Sequence, residues 1–196
     1  VAVLELTTLE RLEAYGSFAT VVSDANKTLL SNMIKSVSQR MADYCSRSFL
    51  KQAYTESRIL RGSRFPLVNT PVDSIASVRV AESGRRADLV AISSTQYEIS
   101  PDKNGINVWD IARGSLVEVT FTGGLAADTA SLIAAYPALE GACLLQTTSL
   151  FKRHTMPDRT TTDLGNGSSS WIGEYDLLEE VRDTLDQQYS ARHKFL

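Results

Sequence analysis

The sequence predicts an α+β fold: a small helical bundle with an inserted antiparallel β-sheet or hairpin, and an extended C-terminal arm ending in a helix. Three observations carry this. Apolar residues recur at helical spacing up to about residue 48, at strand spacing between 53 and 122, and at helical spacing again from about 131. Gly62, Pro66 and Pro71, which break helices, fall where the period changes. Residues 155–173 then lose apolar content almost entirely and consist mostly of Thr, Ser, Gly, Asn and Asp, with Pro157.

The first predicted helix spans 7–15. Thr7 and Glu10 have capping-box spacing, Leu9, Leu12 and Tyr15 share a face, and Gly16 is placed to end it. The second spans 24–48 and opens on Ser23 or Asp24. Its residues Leu30, Ile34, Val37, Met41 and Tyr44 or Cys45 step by four and three, with Lys27, Lys35, Arg40 and Arg47 opposite. In the β region, 53–122, the pairs Val78/Val80, Tyr97/Ile99 and Ile106/Val108 and the triplet Val117/Val119/Phe121 alternate with polar residues. Asn104-Gly105 is a hairpin-turn signal, and Gly123-Gly124 closes the sheet.

The third predicted helix, 131–153, has Pro137 in its first turn and ends on Lys152-Arg153-His154, cations that suit a helix C-terminus. Residues 1–154 therefore form the core, 155–173 a flexible linker, and 174–196 a docking helix and tail. In that last segment Tyr175, Leu178, Val181, Leu185 and Tyr189 share a helical face, acids crowd the start and Arg192, His193 and Lys194 stand at the end. A linker of about 18 residues, each spanning at most ~3.5 Å, could carry the helix some 60 Å from the core. Trp171, inside the polar stretch, and Phe195-Leu196 read as anchors for a partner.

With 196 residues, 43% of them hydrophobic, the chain is long enough to bury roughly 70% of its unfolded surface. A net charge of −3 argues against a nonspecific nucleic-acid coat. Cys45 and Cys143 lie far apart without a CxxC or Cys/His cluster, which predicts two reduced, buried thiols and no zinc. Residues 1–6 have none of the parts of a secretory signal, and no apolar run approaches the ~18 residues of a membrane span. The expectation is a soluble protein of a reducing compartment with no membrane partner.

Searches for catalytic chemistry fail. There is no GxxxxGK[ST] and no GxSxG. Gly165-Asn166-Gly167-Ser168 lacks both a preceding strand and a lysine, and His154 and His193 read as surface residues. Pro101-Asp102 followed by Glu118-Val119-Thr120 imitates a nuclease pattern but places threonine where a lysine must stabilise the transition state. The acidic tail lacks the alternating ligands and central glycine of a calcium loop. No catalytic, cofactor-binding or metal-binding residue is predicted, and no cofactor.

Charge, by contrast, is unevenly spread. Residues 27–64 carry a net +6 and residues 163–186 a net −6. Two such ends could attract one another between subunits, or the basic part could face nucleic acid; two separately solvated faces are the plainer alternative.

The order of features resembles the head–tail connector (adaptor) proteins of tailed bacteriophages. The fragments that carry the resemblance are Leu6-Thr7-Thr8-Leu9-Glu10-Arg11-Leu12-Glu13-Ala14-Tyr15, the second helix through Arg47-Ser48-Phe49, and the turn Phe65-Pro66-Leu67-Val68 leading to Pro71-Val72-Asp73-Ser74. Val117-Glu118-Val119-Thr120-Phe121-Thr122-Gly123-Gly124 is similar to the family's Val-x-Val-x-Tyr-x-x-Gly strand end, with Phe121 and Gly124 as departures. Tyr136-Pro137-Ala138-Leu139 through Lys152-Arg153 resembles its closing helix.

The resemblance covers residues 1–154 and implies a non-catalytic virion protein of the neck, assembled in the host cytoplasm. It implies a ring of twelve subunits under the portal that extends the DNA channel and offers a surface to the tail. The implied partners are the portal, the next connector, stopper or tail protein, further copies of the chain, and double-stranded DNA in transit. The candidate portal- or neighbour-binding residues are Trp171, Tyr175, Leu178, Val181, Leu185, Tyr189, Phe195 and Leu196. Candidates for the DNA channel or a subunit interface are Lys35, Arg40, Arg47, Arg58, Arg61 and Arg64. The alternatives are a DNA-binding packaging or regulatory protein using residues 27–64, and a metal-dependent hydrolase suggested only by the number of carboxylates.

Overall fold

The structure is a computed structural model and describes residues 4–16, 24–155 and 176–189. The chain divides into two compact units, one formed by residues 46–128 and the other by the segments before and after them.

The helical unit contains α1 (Leu9–Gly16), α2 (Asp24–Tyr44), α3 (Thr129–Ala135), α4 (Pro137–Thr155) and α5 (Glu179–Gln188). Helix α1 is capped by Thr8, one residue later than the spacing suggests: its hydroxyl accepts from the Arg11 amide at 3.4 Å. Thr7 is instead buried and donates to the carboxylate of Glu140 at 3.2 Å. Leu12 faces inward as expected, whereas Tyr15 is exposed.

Leu30, Ile34, Val37 and Met41 of α2 are buried, the stripe the sequence predicts. The helix stops at Tyr44 rather than 48, because Ser46 takes a left-handed conformation (φ 54°) that no α-helix continues through. The single helix expected over 131–153 is two. Proline has no N–H and disfavours the helical region for the residue before it, so α3 ends ahead of Tyr136 and Pro137 starts α4. Leu12, Leu30, Ile34, Leu144 and Phe151 join α1, α2 and α4 in one apolar cluster. Cys45 and Cys143 are buried free thiols.

The β unit holds β1 (Gln52–Ile59), β2 (Arg64–Pro66), β3 (Val72–Ala81), β4 (Val90–Ala91), β5 (Tyr97–Ile99), β6 (Gly105–Val108) and β7 (Leu116–Gly123). The strands form two sheets, ordered β1-β7-β3-β4 and β2-β6-β5, and every paired strand is antiparallel. Inward residues of both, among them Phe65, Val78, Ile106, Val119 and Phe121, make the core. Phe121 lies on β7 between β1 and β3 and packs a tilted ring on Tyr54 at 5.9 Å.

The predicted hairpin is present between β5 and β6, with Ile99 opposite Ile106. Its left-handed residue, however, is Lys103 (φ 54°). Gly105 is needed for a different reason: a Cβ there would lie 2.4 Å from the Phe65 carbonyl oxygen of β2. Asp102 accepts from Ser100 Oγ and the Asn104 amide and pairs with Arg64, which together hold its carboxyl well below the usual carboxylate range. Backbone bonds from Lys51 to the Ala126 carbonyl at 2.7 Å and from Leu125 to the Phe49 carbonyl at 3.0 Å bring the two ends of the unit together.

Two outcomes follow from this packing. Phe121→Ala leaves a cavity in a fully buried site and is expected to cost about 3–5 kcal/mol in urea unfolding. Burial pushes the Cys143 thiol up to about 12. Its contribution to stability is therefore complete below the unfolded thiol value of roughly 8.5 and is lost as pH rises above it. At pH 8 both thiols should resist a colorimetric thiol reagent until the protein unfolds.

Candidate functional site

The basic stretch does not form a single cationic surface. Lys27 pairs with Asp24 at 3.8 Å and Lys35 with Glu5 at 3.8 Å on the helical unit, where Arg40 is half-buried and also bonded. On the β unit Lys51 pairs with Asp73 at 2.8 Å, Arg58 with Glu56 at 3.5 Å, and Arg64 with Asp102. Arg47 is buried and donates to the Thr70 carbonyl. Buried behind that bond, it is a structural tie and not a channel-facing side chain. Among the described residues only Arg61, exposed between β1 and β2, has neither an ion pair nor a side-chain hydrogen bond within this stretch. Carboxylates outside the stretch, Asp24, Glu5, Asp73 and Asp102, thus meet Lys27, Lys35, Lys51 and Arg64, while Glu56 within it meets Arg58.

Glu56 shows how such a carboxylate is used. Its oxygens accept from the Val68 amide at 3.0 Å and the Asn69 amide at 3.2 Å, while Asn69 Oδ1 accepts from the Ser48 amide at 2.9 Å. Together with Arg47, these bonds fix the segment that leads from β2 into β3.

The C-terminal candidates separate into two groups. Trp171, Tyr175, Phe195 and Leu196 lie outside the described residues, as does the predicted linker apart from Thr155, which closes α4. Val181 and Leu185 are fully buried, Tyr189 is nearly so, and Leu178 is half-buried, because α5 packs on α4. Tyr189 stacks edge-on against Tyr136 at 6.2 Å, and burial raises its hydroxyl above the usual tyrosine value. The apolar stripe of α5 belongs to the core of its own unit rather than to a surface offered outward. The helix is also shorter than the predicted segment, starting at Glu179 after Leu178, whose backbone is extended.

Sequence reasoning missed the side chains that place α5. Gln146, buried in α4, donates from Nε2 to the Asp176 carbonyl at 3.3 Å and accepts from the Leu178 amide at 2.8 Å. It thereby satisfies one of the orphan amides at the start of a helix that has no side-chain cap of its own. Glu140 does the equivalent for α1: it accepts from Thr7 and from both Arg11 Nε and Arg11 Nη2, the latter at 2.7 Å. The only signal for either was a polar residue at a position whose neighbours are buried.

The described residues contain no cluster of His, Cys, Asp and Glu able to hold a metal, and none of their helices is long and apolar enough to cross a membrane. Among the exposed features are an acidic outer face on α5, with Glu179, Glu180 and Asp183, and a few apolar side chains on the β unit, including Trp109 and Ile59.

No protein-family model matches the sequence, and no curated protein does. Solved structures do match. A chain from the neck of an empty gene transfer agent (GTA) particle, computed with C6 symmetry, has a TM-score of 0.58 at 13% identity, covering 94% of this chain and 92% of that one. The fold occurs in a GTA particle neck. A chain from the virion of a native GTA particle gives a TM-score of 0.59, also at 13% identity, over 98% of this chain and 94% of that one. The chain therefore shares the fold of these GTA chains, and the likeness continues beyond residue 154.

Gln146→Leu removes both bonds that fix the start of α5 and leaves the Leu178 amide without its acceptor, a loss of about 1–3 kcal/mol. Amide exchange across 179–188 should accelerate roughly tenfold or more, while exchange in β7 stays unchanged.

Proposed function

We propose that the chain is a structural protein of a virion neck: a head–tail connector that forms a ring under the portal, extends the DNA channel and gives the tail its attachment surface. The observation that carries this is the near-complete overlap of the fold with a chain of the GTA neck. A ring of twelve subunits fits the same comparison, since twelve is compatible with the C6 symmetry of that particle. A closed ring of one protein needs two different, complementary patches on each subunit, and the two units differ in what they expose. The partners are the portal above, the next connector, stopper or tail component below, and the chain's own copies. DNA passes through without sequence-specific contact.

The portal contact falls to the segments flanking α5, with Trp171, Tyr175, Phe195 and Leu196 as anchors, because the apolar stripe of α5 is already covered by α4. The internal pairing of Lys35, Arg58 and Arg64 favours a connector over a packaging or regulatory protein, which needs a free cationic surface.

Native mass spectrometry of the protein mixed with the portal of its own particle tests the proposal. The expected product holds about one copy per portal subunit, and Trp171→Ala/Tyr175→Ala abolishes it. No complex with the portal, together with tight DNA binding that weakens steeply with salt, would transfer the protein to the packaging or regulatory class.

A further inference from the structure

Among the exposed charges that have no partner within the described residues, two clusters are opposite in sign. On the β unit these are Arg61, between β1 and β2, and Arg113, between β6 and β7. Backbone bonds hold the two loops side by side: Leu60 donates to the Ser115 carbonyl at 2.9 Å, Gly114 to the Leu60 carbonyl at 2.9 Å, and Val108 to the Ser63 carbonyl at 2.8 Å. Each arginine directly neighbours a residue of these bonded pairs, so the two exposed residues stand at the same tip of the unit. Trp109, 42% exposed, stands on the same pair of loops, and Ile59, 50% exposed, ends β1 beside them. One carboxylate, Asp110, accompanies them.

On the helical unit the other cluster is Glu179, Glu180 and Asp183 of α5. The opposite side of that helix is anchored by Val181 and Leu185 in the core, and its start is held by Gln146. The carboxylates therefore stand on a fixed support and point away from it.

We infer that the Arg61/Trp109/Arg113 tip of one copy docks on the outward acidic face of α5 in a second copy, joining neighbours head to tail. The inference rests on the ring reading above and supplies the two patches that reading requires. Tryptophan and arginine are the side chains most enriched at the energetic centres of interfaces. An unpaired guanidinium can engage a carboxylate through two parallel hydrogen bonds, which fixes orientation as well as attraction. The two patches differ, so the contact is heterologous, the kind that builds a ring where its rotation closes.

Charge reversal and its rescue test this on the full chain, with ring formation on the portal read by native mass spectrometry and negative-stain imaging. Arg61→Glu/Arg113→Glu should lower ring occupancy by at least roughly tenfold, as should Glu180→Arg/Asp183→Arg, and the chain carrying all four changes should recover it. Trp109→Ala should weaken the ring by a similar factor without altering the charge. Circular dichroism verifies folding at each step, and Arg61→Gln/Arg113→Gln replaces the reversal if that variant does not fold. Folded reversal variants that assemble like the wild type, or a fourfold variant that stays dispersed, overturn the docking while leaving the ring intact. A wild-type chain that forms no ring on the portal overturns the ring reading itself, and this docking with it.

Discussion

Helix α4 has to satisfy polar groups in a place where water cannot. Glu140, Gln146 and Thr147 are all buried on it, and each is bonded in a way that selects a neighbour or a local geometry. Glu140 admits α1 only in the position where Thr7 and Arg11 both reach the carboxylate. Gln146 admits α5 only where the backbone of Asp176 and Leu178 presents one acceptor and one donor. Thr147 returns its hydroxyl to the Cys143 carbonyl at 2.8 Å. Apolar burial would draw all these helices together, but it is nearly indifferent to sliding and rotation. A buried amide or carboxylate is not, because an unmatched group there costs more than the bond contributes when made. The register of the helical unit is therefore set by its few buried polar side chains.

The β unit shows the same logic with backbone partners. Glu56 and Arg47 are both used to hold the chain between β2 and β3. That segment has to cross from the smaller sheet to the larger one, and backbone amides and carbonyls in such a crossing have no ladder to join. Charged side chains supply the missing partners. Residues that look like surface charge in the sequence are here part of the frame.

This explains what could be read in advance and what could not. Periodicity located α2 and most strands correctly, because Leu30, Ile34, Val37 and Met41, and Val117, Val119 and Phe121, answer to burial alone. Boundaries failed where a single backbone requirement intervened, as at Ser46, at Pro137, and at Thr8 in place of Thr7. The basic stretch shows a different limit of the sequence. Counting charges within a window of sequence ignores acids that arrive from far away: Glu5 reaches Lys35, and Asp102 reaches Arg64. Arg113, equally, lay outside the window that contains Arg61, although hydrogen bonds between their loops make them neighbours. The apolar stripe on α5 was visible, but a stripe does not say whether its cover comes from the same chain or another. That answer lay in Gln146.

The ends of the β unit, joined through Lys51 and Ala126 and through Phe49 and Leu125, have a consequence for how the protein comes to fold. Residues 46–128 are continuous in sequence, whereas the helical unit is assembled from segments on either side of them. A nascent chain can complete the sheets before α4 exists, but α2 must wait for its partner. Closing the β unit shortens that wait. It replaces a loop of more than eighty residues with a clasp whose two ends already lie together, and so lowers the loop-closure entropy that α2 and α4 lose on meeting.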